Sequence, residues 1–156
     1  MIRTKIVLTS LIGLLMIFLV KPAHADISPG FRAGAYFDAE SAFVGGEVVA
    51  DLTEDWRFVP NVEFVFVDNA SLTTFNLDFQ YNIRTDYRFE FWAGAGAAIL
   101  HFNPENDNFD SDTELGANLF FGVGFPLQDA RFLPYVQPKL ILADDVEFSL
   151  AFGVRF

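Results

Sequence analysis

The last eleven residues of the chain, V146-E-F-S-L-A-F-G-V-R-F156, alternate without a break between large apolar side chains and polar or smaller ones. A period of two residues places successive side chains on opposite faces of a β-strand. The segment therefore predicts a strand that ends in an aromatic residue and has one strongly apolar face. That face is formed by Val146, Phe148, Leu150, Phe152, Val154 and Phe156.

The same period recurs upstream, between clusters of turn-forming residues. Only one connection between the predicted strands, 103–113, is long. Proline lacks the N–H that a β-ladder uses, so we expect bulges at Pro60, Pro134 and Pro138. The pattern predicts eight strands, at 30–38, 42–52, 56–67, 71–83, 87–102, 114–127, 131–142 and 146–156.

The phenylalanine content decides which face of these strands points outward. After residue 25, fifteen of nineteen phenylalanines fall on the apolar phase. A soluble barrel with an apolar interior shows the same alternation, but about eight strands enclose too little space for so many rings. We therefore expect an all-β fold, an eight-stranded antiparallel up-and-down transmembrane β-barrel, with these rings in lipid. They are Phe31, Phe37, Phe58, Phe64, Phe66, Phe75, Phe79, Phe89, Phe91, Phe121, Phe125, Phe132, Phe148, Phe152 and Phe156.

Aromatic residues are also concentrated at one end of the predicted strands. Aromatic rings are favoured at membrane–water interfaces, so the pattern predicts a girdle at the end that both termini share. We expect this end to face the periplasm, from which the chain is delivered. The girdle residues are Trp56, Phe58, Phe79, Tyr81, Tyr87, Phe89, Phe125, Phe132 and Phe156.

The first 25 residues have the pattern of a secretory signal. Arg3 and Lys5 precede an apolar stretch at 6–20, and Ala23-His24-Ala25 follows it. Charged start, apolar middle and small-x-small exit predict a signal peptide over 1–25, cleaved after Ala25, and one mature domain over 26–156. The apolar stretch is shorter than the roughly 20 residues of a membrane-spanning helix. The chain has no cysteine, which excludes disulfides and a lipid-bearing cysteine.

The net charge limits which kinds of molecule the protein is expected to bind. Residues 26–156 contain seven basic and twenty-one acidic side chains, a formal charge of −14. Nucleic acid is excluded as an expected partner, because binding phosphates needs a basic surface. The chain is 52% hydrophobic, which is too apolar for a disordered acidic tail.

Taken together, these features resemble the small eight-stranded outer-membrane barrels of bacteria, the broad family of the OmpA transmembrane domain, OmpX-like and opacity-type proteins. Local similarity lies in WRFVPNVEFVF, FWAGAGAAIL, FLPYVQPKL and FSLAFGVRF.

The resemblance implies a Gram-negative outer-membrane protein that contacts lipid and lipopolysaccharide and is inserted by the barrel-assembly machinery. We expect a monomer. The resemblance also implies a C-terminal insertion signal formed by Ser149, Ala151, Val154 and Phe156. One difference is that three of the four connections at the far end are short, whereas the best-known members carry long loops there. This argues against a receptor or host-binding role.

The inward phase of the predicted barrel is rich in charge. Charges inside a narrow barrel are costly unless they are paired, so we expect a network across the lumen that plugs the barrel. Large side chains, at Tyr36, Phe43, Trp92, Phe120 and Tyr135, share this phase. The alternative is a narrow, cation-leaning, porin-like pore. The charged residues are Arg32, Asp38, Glu47, Asp51, Arg57, Glu63, Asp78, Arg88, Glu90, Glu114, Lys139, Glu147 and Arg155.

The long connection 103–113 is acidic, with carboxylates at Glu105, Asp107, Asp110 and Asp112. Alternating carboxylates can bind Ca²⁺, but this spacing does not match an EF-hand and lacks its central glycine. We expect a solvated loop without a metal. A surface binding or adhesion protein that acts through this loop is a second alternative.

His101 is the only histidine after the predicted signal. A lipid A deacylase of similar barrel fold uses a histidine, a serine two residues later and a more distant glutamate. Here Asn103 replaces the serine, although Glu114 follows. Because the nucleophile is missing, we expect no membrane-embedded lipid-modifying enzyme, and His101 is predicted at the outer rim. No phosphate loop, zinc spacing or dinucleotide fingerprint occurs, so no cofactor is expected.

Overall fold

The structure is a computed structural model that describes residues 26–67, 70–104, 111–128 and 130–156. The signal peptide predicted at 1–25 lies outside the described residues, as do Glu105, Asp107 and Asp110 of the acidic connection. Within the described ranges, no helix has the length and apolar character needed to cross a membrane.

Eight antiparallel strands form one closed barrel in chain order. The first and last strands close it, in a register that runs from Gly30 opposite Arg155 to Tyr36 opposite Ser149. Closure satisfies the backbone groups of both outer strands, so the sheet has no open edge. The strands are β1 (Ile27–Tyr36), β2 (Ser41–Asp51), β3 (Trp56–Val67), β4 (Ala70–Ile83), β5 (Glu90–Pro104), β6 (Asp112–Gly124), β7 (Leu133–Leu142) and β8 (Val146–Arg155).

The two ends of the barrel differ in the termini and connections that lie there. We call the end with residue 26, Phe156 and the connections 52–55, 84–89 and 125–132 the terminal end. The opposite end, with the turns 37–40 and 143–145, is the loop end. The eight-stranded up-and-down architecture that the sequence predicts is therefore confirmed.

Strand boundaries depart from the prediction where pairing overrides local turn propensity. Asn103 and Pro104 extend β5 because they pair with Ser71 and Ala70 of β4. At the terminal end the reverse occurs, since β6 stops at Gly124 and β7 starts at Leu133. The connections 84–89 and 125–132 are consequently longer than predicted.

The expected bulges at the strand prolines are absent from the described strands. Around Pro60, the β2–β3 pairing is interrupted between Glu47–Asn61 and Ala50–Phe58, but both pairs belong to one register. Pro134 and Pro138 pair without a shift against Val154 and Leu150 of β8. The missing N–H groups therefore remove single ladder bonds without inserting a residue.

The phenylalanine-rich phase points outward, as predicted. Thirteen of the fifteen rings are exposed, up to 68% for Phe31, and only Phe58 and Phe91 are partly covered. An exposed apolar surface of this extent is characteristic of contact with lipid.

The predicted girdle at the terminal end is built from ring pairs on neighbouring strands. Trp56 and Tyr81 lie 5.1 Å apart between ring centroids, and Phe58 and Phe79 lie 5.0 Å apart. Cross-strand aromatic pairs of this kind stabilise adjacent strands. The girdle thus contributes both to the interface with lipid and to the sheet.

Candidate functional site

The barrel interior is filled by its own side chains. All five large inward side chains predicted from the sequence are buried, with exposed fractions of 7% or less. They are accompanied by fully covered polar and charged groups, which makes the lumen the candidate functional site. The large residues are Tyr36, Phe43, Trp92, Phe120 and Tyr135.

Glu63 on β3 is the centre of the charged part of the lumen, and it is completely buried. The Lys139 ammonium on β7 lies 3.0 and 3.1 Å from its two carboxylate oxygens. The Arg32 Nε atom on β1 lies 3.2 Å away, and the Tyr36 hydroxyl donates to the same carboxylate. Strands β3 and β7 are four apart in a ring of eight, so the Glu63–Lys139 contact joins opposite walls.

A second carboxylate, Glu47 on β2, extends this network toward the terminal end. Arg155 Nε on β8 donates to Glu47 at 2.7 Å, and Arg32 Nη1 lies 3.4 Å from the other oxygen. The Arg155 guanidinium also lies over the rings of Trp92 and Tyr135, with its Cζ 4.7 Å from each ring centroid. Arg32 links the two carboxylates, so five charged residues form one buried cluster, the lumen network: Arg32, Glu47, Glu63, Lys139 and Arg155.

Glycines on intervening strands make several of these contacts possible. Gly45 on β2 pairs with Arg32 on one side and Glu63 on the other. A Cβ atom there would lie 3.2 Å from the Glu63 Cγ and closer still to the backbone. Because position 45 carries no side chain, Arg32 reaches Glu63 over β2.

Three further contacts skip a strand in the same way. Gly30 lies between Glu47 and Arg155, and Gly96 lies between Asp78 and Asn118. Gly122 lies opposite Trp92, whose indole Nε1 donates to Gln137 on β7 at 2.9 Å. The interior is therefore packed by alternating glycine with large side chains around the wall.

Asp78 belongs to a separate, amide-rich part of the lumen. Asn118 Nδ2 donates to one carboxylate oxygen at 2.8 Å, and Asn61 Nδ2 donates to the other at 2.9 Å. Asn118 also donates to Asn76 Oδ1 at 2.8 Å. None of the Lys or Arg residues within the described ranges brings a nitrogen within 4.0 Å of Asp78.

At the terminal end, Arg57 links two carboxylates at the mouth of the lumen. Its Nε lies 2.7 Å from Asp51, and its Nη1 lies 3.8 Å from Glu90. These side chains are partly exposed and line a cavity of ≈ 310 Å³, together with Arg131 and Arg155. The mouth is therefore an ionic rim that adjoins the lumen network at Arg155.

The three carboxylates predicted inward near the loop end cap backbone groups there. Glu147 accepts hydrogen bonds from the N–H groups of Asp38 and Ala39, at 2.9 and 3.1 Å. Asp38, exposed in the turn 37–40, accepts from the Phe148 N–H at 3.2 Å. Glu114 accepts from the Asp144 N–H. These groups fix turns at the rim and do not cross the lumen.

Arg88 is not in the lumen. It is exposed in the connection 84–89, because β5 begins only at Glu90 and the inward phase does not extend that far. Arg84 in the same connection contacts Asp55 and Glu54 at 2.6 and 3.0 Å. These hydrogen bonds raise the pKa of Arg84 above its ordinary value.

His101 lies near the loop end of β5 and is exposed, as predicted for a residue at the outer rim. Its Nδ1 is 3.0 Å from the hydroxyl of Thr113, its pairing partner on β6. In the part of the chain that the structure covers, its side chain makes no other hydrogen bond, and no three His, Cys, Asp or Glu side chains group as metal ligands.

The four residues of the proposed insertion signal divide between the two faces of β8. Ser149 and Ala151 are buried toward the lumen, whereas Phe156 is exposed on the lipid-facing side. The Phe156 N–H donates to the Pro29 carbonyl at 2.9 Å, and its ring meets Phe31 edge-on at 6.3 Å. The chain end is thus attached to β1 at the closure of the barrel.

Sequence reasoning named the charged members of the lumen but missed its neutral polar members. Their signal was present in the same two-residue phase, since they alternate with outward apolar residues. It was overlooked because neutral amides and hydroxyls carry no charge to mark them. They are Tyr36, which donates a hydrogen bond to Glu63, and Asn61, Thr74, Asn76, Asn118 and Gln137.

Comparison with known proteins gives fold similarity without close sequence similarity. No family model matches the chain, and no curated protein matches it. The N-terminal β-barrel domain of Pseudomonas aeruginosa OprF superposes with a TM-score of 0.71 at 19% identity, over 85% of this chain and 98% of that domain.

Two further solved structures agree. Neisserial surface protein A gives a TM-score of 0.62 at 11% identity, and the attachment invasion locus protein Ail of Yersinia pestis gives 0.60 at 13%. Each alignment covers 85% of this chain and 97% of the other. The resemblance inferred from the sequence is therefore confirmed at the level of architecture: the chain has the fold of the small eight-stranded outer-membrane barrels.

Proposed function

We propose that the chain is an integral outer-membrane protein with a structural role in the cell envelope and a lumen closed by its own side chains. The observation that carries this proposal is the Glu63–Lys139 contact, at 3.0 Å, between opposite walls. Trp92, Phe120 and Tyr135 form a buried apolar cluster in the same lumen. A pore would need a continuous polar path past both this contact and this cluster.

The surroundings of the barrel follow from the same proposal. Its exposed rings contact membrane lipid and, in the outer leaflet, the acyl chains of lipopolysaccharide. The chain is exported by its signal peptide, inserted by the barrel-assembly machinery through the Phe156 end, and acts as a monomer. Closed pairing of β1 with β8 supports the monomer, because no strand edge is left for a second copy.

Conductance in planar bilayers tests the closed lumen. The protein refolded in detergent and added to a bilayer is expected to give no stepwise currents, while a known porin added to the same bilayer does. Reproducible current steps that change in size in Glu63→Gln would favour the narrow pore and contradict the structural role proposed here.

A further inference from the structure

Asp78 is a buried carboxylate without an ion-pair partner within 4.0 Å among the described residues. Only 1% of the residue is exposed, and its two hydrogen bonds come from the neutral amides of Asn61 and Asn118. The lumen network has three cations and two carboxylates and so offsets the Asp78 charge from a distance, but its ion-pair contacts are all made with Glu47 and Glu63. Buried charges in proteins are normally paired with an opposite charge or coordinate a cation.

Oxygen atoms beside Asp78 also lack hydrogen-bond donors. Asn61 Oδ1 and Asn118 Oδ1 are buried and accept no hydrogen bond from the protein. Gln80 Oε1, two residues after Asp78 on β4, is also buried and accepts none. Exchanging oxygen and nitrogen in the asparagines would not help, because both nitrogens already donate to Asp78. The unpartnered atoms around Asp78 are therefore acceptors, on β3, β4 and β6, whereas the unpartnered nitrogens of the lumen belong to Arg32 and Arg155.

A group that satisfies these acceptors brings hydrogen-bond donors or positive charge. Hard cations prefer carboxylate and amide oxygens of this kind. Calcium sites generally use several carboxylates, whereas a single one is present here, which favours a monovalent cation. We propose that the lumen binds a monovalent metal cation, of the Na⁺ or K⁺ class, through Asp78, Asn61 and Asn118.

Cation-dependent stability tests this site in the refolded, detergent-solubilised protein. Wild type is refolded in NaCl, in KCl or in choline chloride at one ionic strength, and the folded fraction is followed on heating by gel mobility. A ligand that binds only the folded state stabilises that state, and the stabilisation grows with the logarithm of the ligand concentration once this exceeds the dissociation constant. We expect a higher melting temperature in NaCl or KCl than in choline chloride, rising with the metal-ion concentration.

Two aspartate variants locate the effect. Asp78→Asn removes the carboxylate without changing its size, so its melting temperature should be equal in all three salts. Asp144→Asn, an exposed aspartate in the turn 143–145, should keep the dependence of wild type.

Crystals of wild type soaked in thallium(I) provide a second measurement that needs no variant to fold. Anomalous density bonded to Asp78 is expected. Equal melting of wild type in choline, sodium and potassium would overturn the site. So would a metal-ion dependence that survives in Asp78→Asn, or crystals in which only water contacts Asp78.

Discussion

Arg32 and Glu63 are in contact at 3.2 Å although a complete strand, β2, lies between them. The contact passes over Gly45, which is in register with both residues. Glycine is intrinsically unfavourable in strands, because it loses more backbone entropy on folding than other residues and has no side chain to pack. In this barrel it provides the space in which charged groups of non-neighbouring strands meet.

Alanine at Gly45 should destabilise the barrel, whereas alanine at Gly46 should have little effect. A Cβ atom at Gly45 would press on the β3 backbone and Glu63, whereas one at outward-facing Gly46 has its nearest neighbour at 3.8 Å. We expect Gly45→Ala to lower the free energy of unfolding by about 1–3 kcal/mol, as overpacking does, and Gly46→Ala to leave it nearly unchanged. Urea unfolding in lipid vesicles measures both; equal losses would contradict this account of the lumen.

Removing Lys139 should cost more than removing the whole pair. In Lys139→Met, the Glu63 carboxylate keeps Arg32 but loses both ammonium contacts. Breaking a buried ion pair from one side typically costs about 3–5 kcal/mol. Because Arg32 still offsets part of the Glu63 charge, we expect a loss at the lower end of that range. The double variant Lys139→Met with Glu63→Gln should recover part of that loss. A double variant less stable than Lys139→Met would show that the pair itself is strongly stabilising.

The two tryptophans report on the two faces of the barrel. Trp56 is exposed in the girdle, whereas Trp92 is fully buried in the lumen. In vesicles of brominated lipid, Trp56 fluorescence, measured in Trp92→Phe, should be strongly quenched. Trp92 fluorescence, measured in Trp56→Phe, should be nearly unaffected. Strong quenching of Trp92 would mean that lipid reaches the face assigned here to the interior.

The role of Phe156 in assembly can be separated from its role in packing. Phe156→Ser should fail to insert into the outer membrane of cells but should still refold in detergent micelles. Phe31→Ser removes the ring that Phe156 contacts, so it controls for lost packing and should insert in cells. Comparison of the heat-modifiable band in cell envelopes measures insertion; equal failure of both variants would argue for packing.

The eight strands and the direction of their faces were predictable because both depend on local information. A two-residue period fixes the faces, and the number of phenylalanines exceeds what eight strands can enclose. Strand ends were less predictable, since Asn103 and Pro104 are strand residues only through their pairing with β4. Arg88 was misplaced for the same reason: the alternation continues in the sequence beyond the point where pairing stops.

The sequence predicted most of the charged residues of the lumen but not which of them are in contact. Which cation meets Glu63 depends on the register of all eight strands, because Lys139 approaches from the opposite wall. The hydrogen bonds from Asn61 and Asn118 to Asp78 were not predicted, because an amide side chain on the polar face of a strand is equally compatible with contact to water. The inward glycine positions would have helped, because Gly30, Gly45, Gly96 and Gly122 mark places where a neighbouring side chain extends over the adjacent strand.

The glycine positions also bear on how such a barrel can change over evolutionary time. Gly30, Gly45, Gly96 and Gly122 each occupy a place whose volume belongs to a residue on the next strand. At Gly30 and Gly122 that volume is taken mainly by the side chains of Glu47 and Trp92, so a larger residue there becomes acceptable only when its partner shrinks. At Gly45 and Gly96 the nearest atoms include backbone carbonyl oxygens, so a smaller partner gives no relief. Lipid-facing positions outside the aromatic pairs carry fewer such constraints and can diverge one at a time, which allows low overall identity around an unchanged architecture.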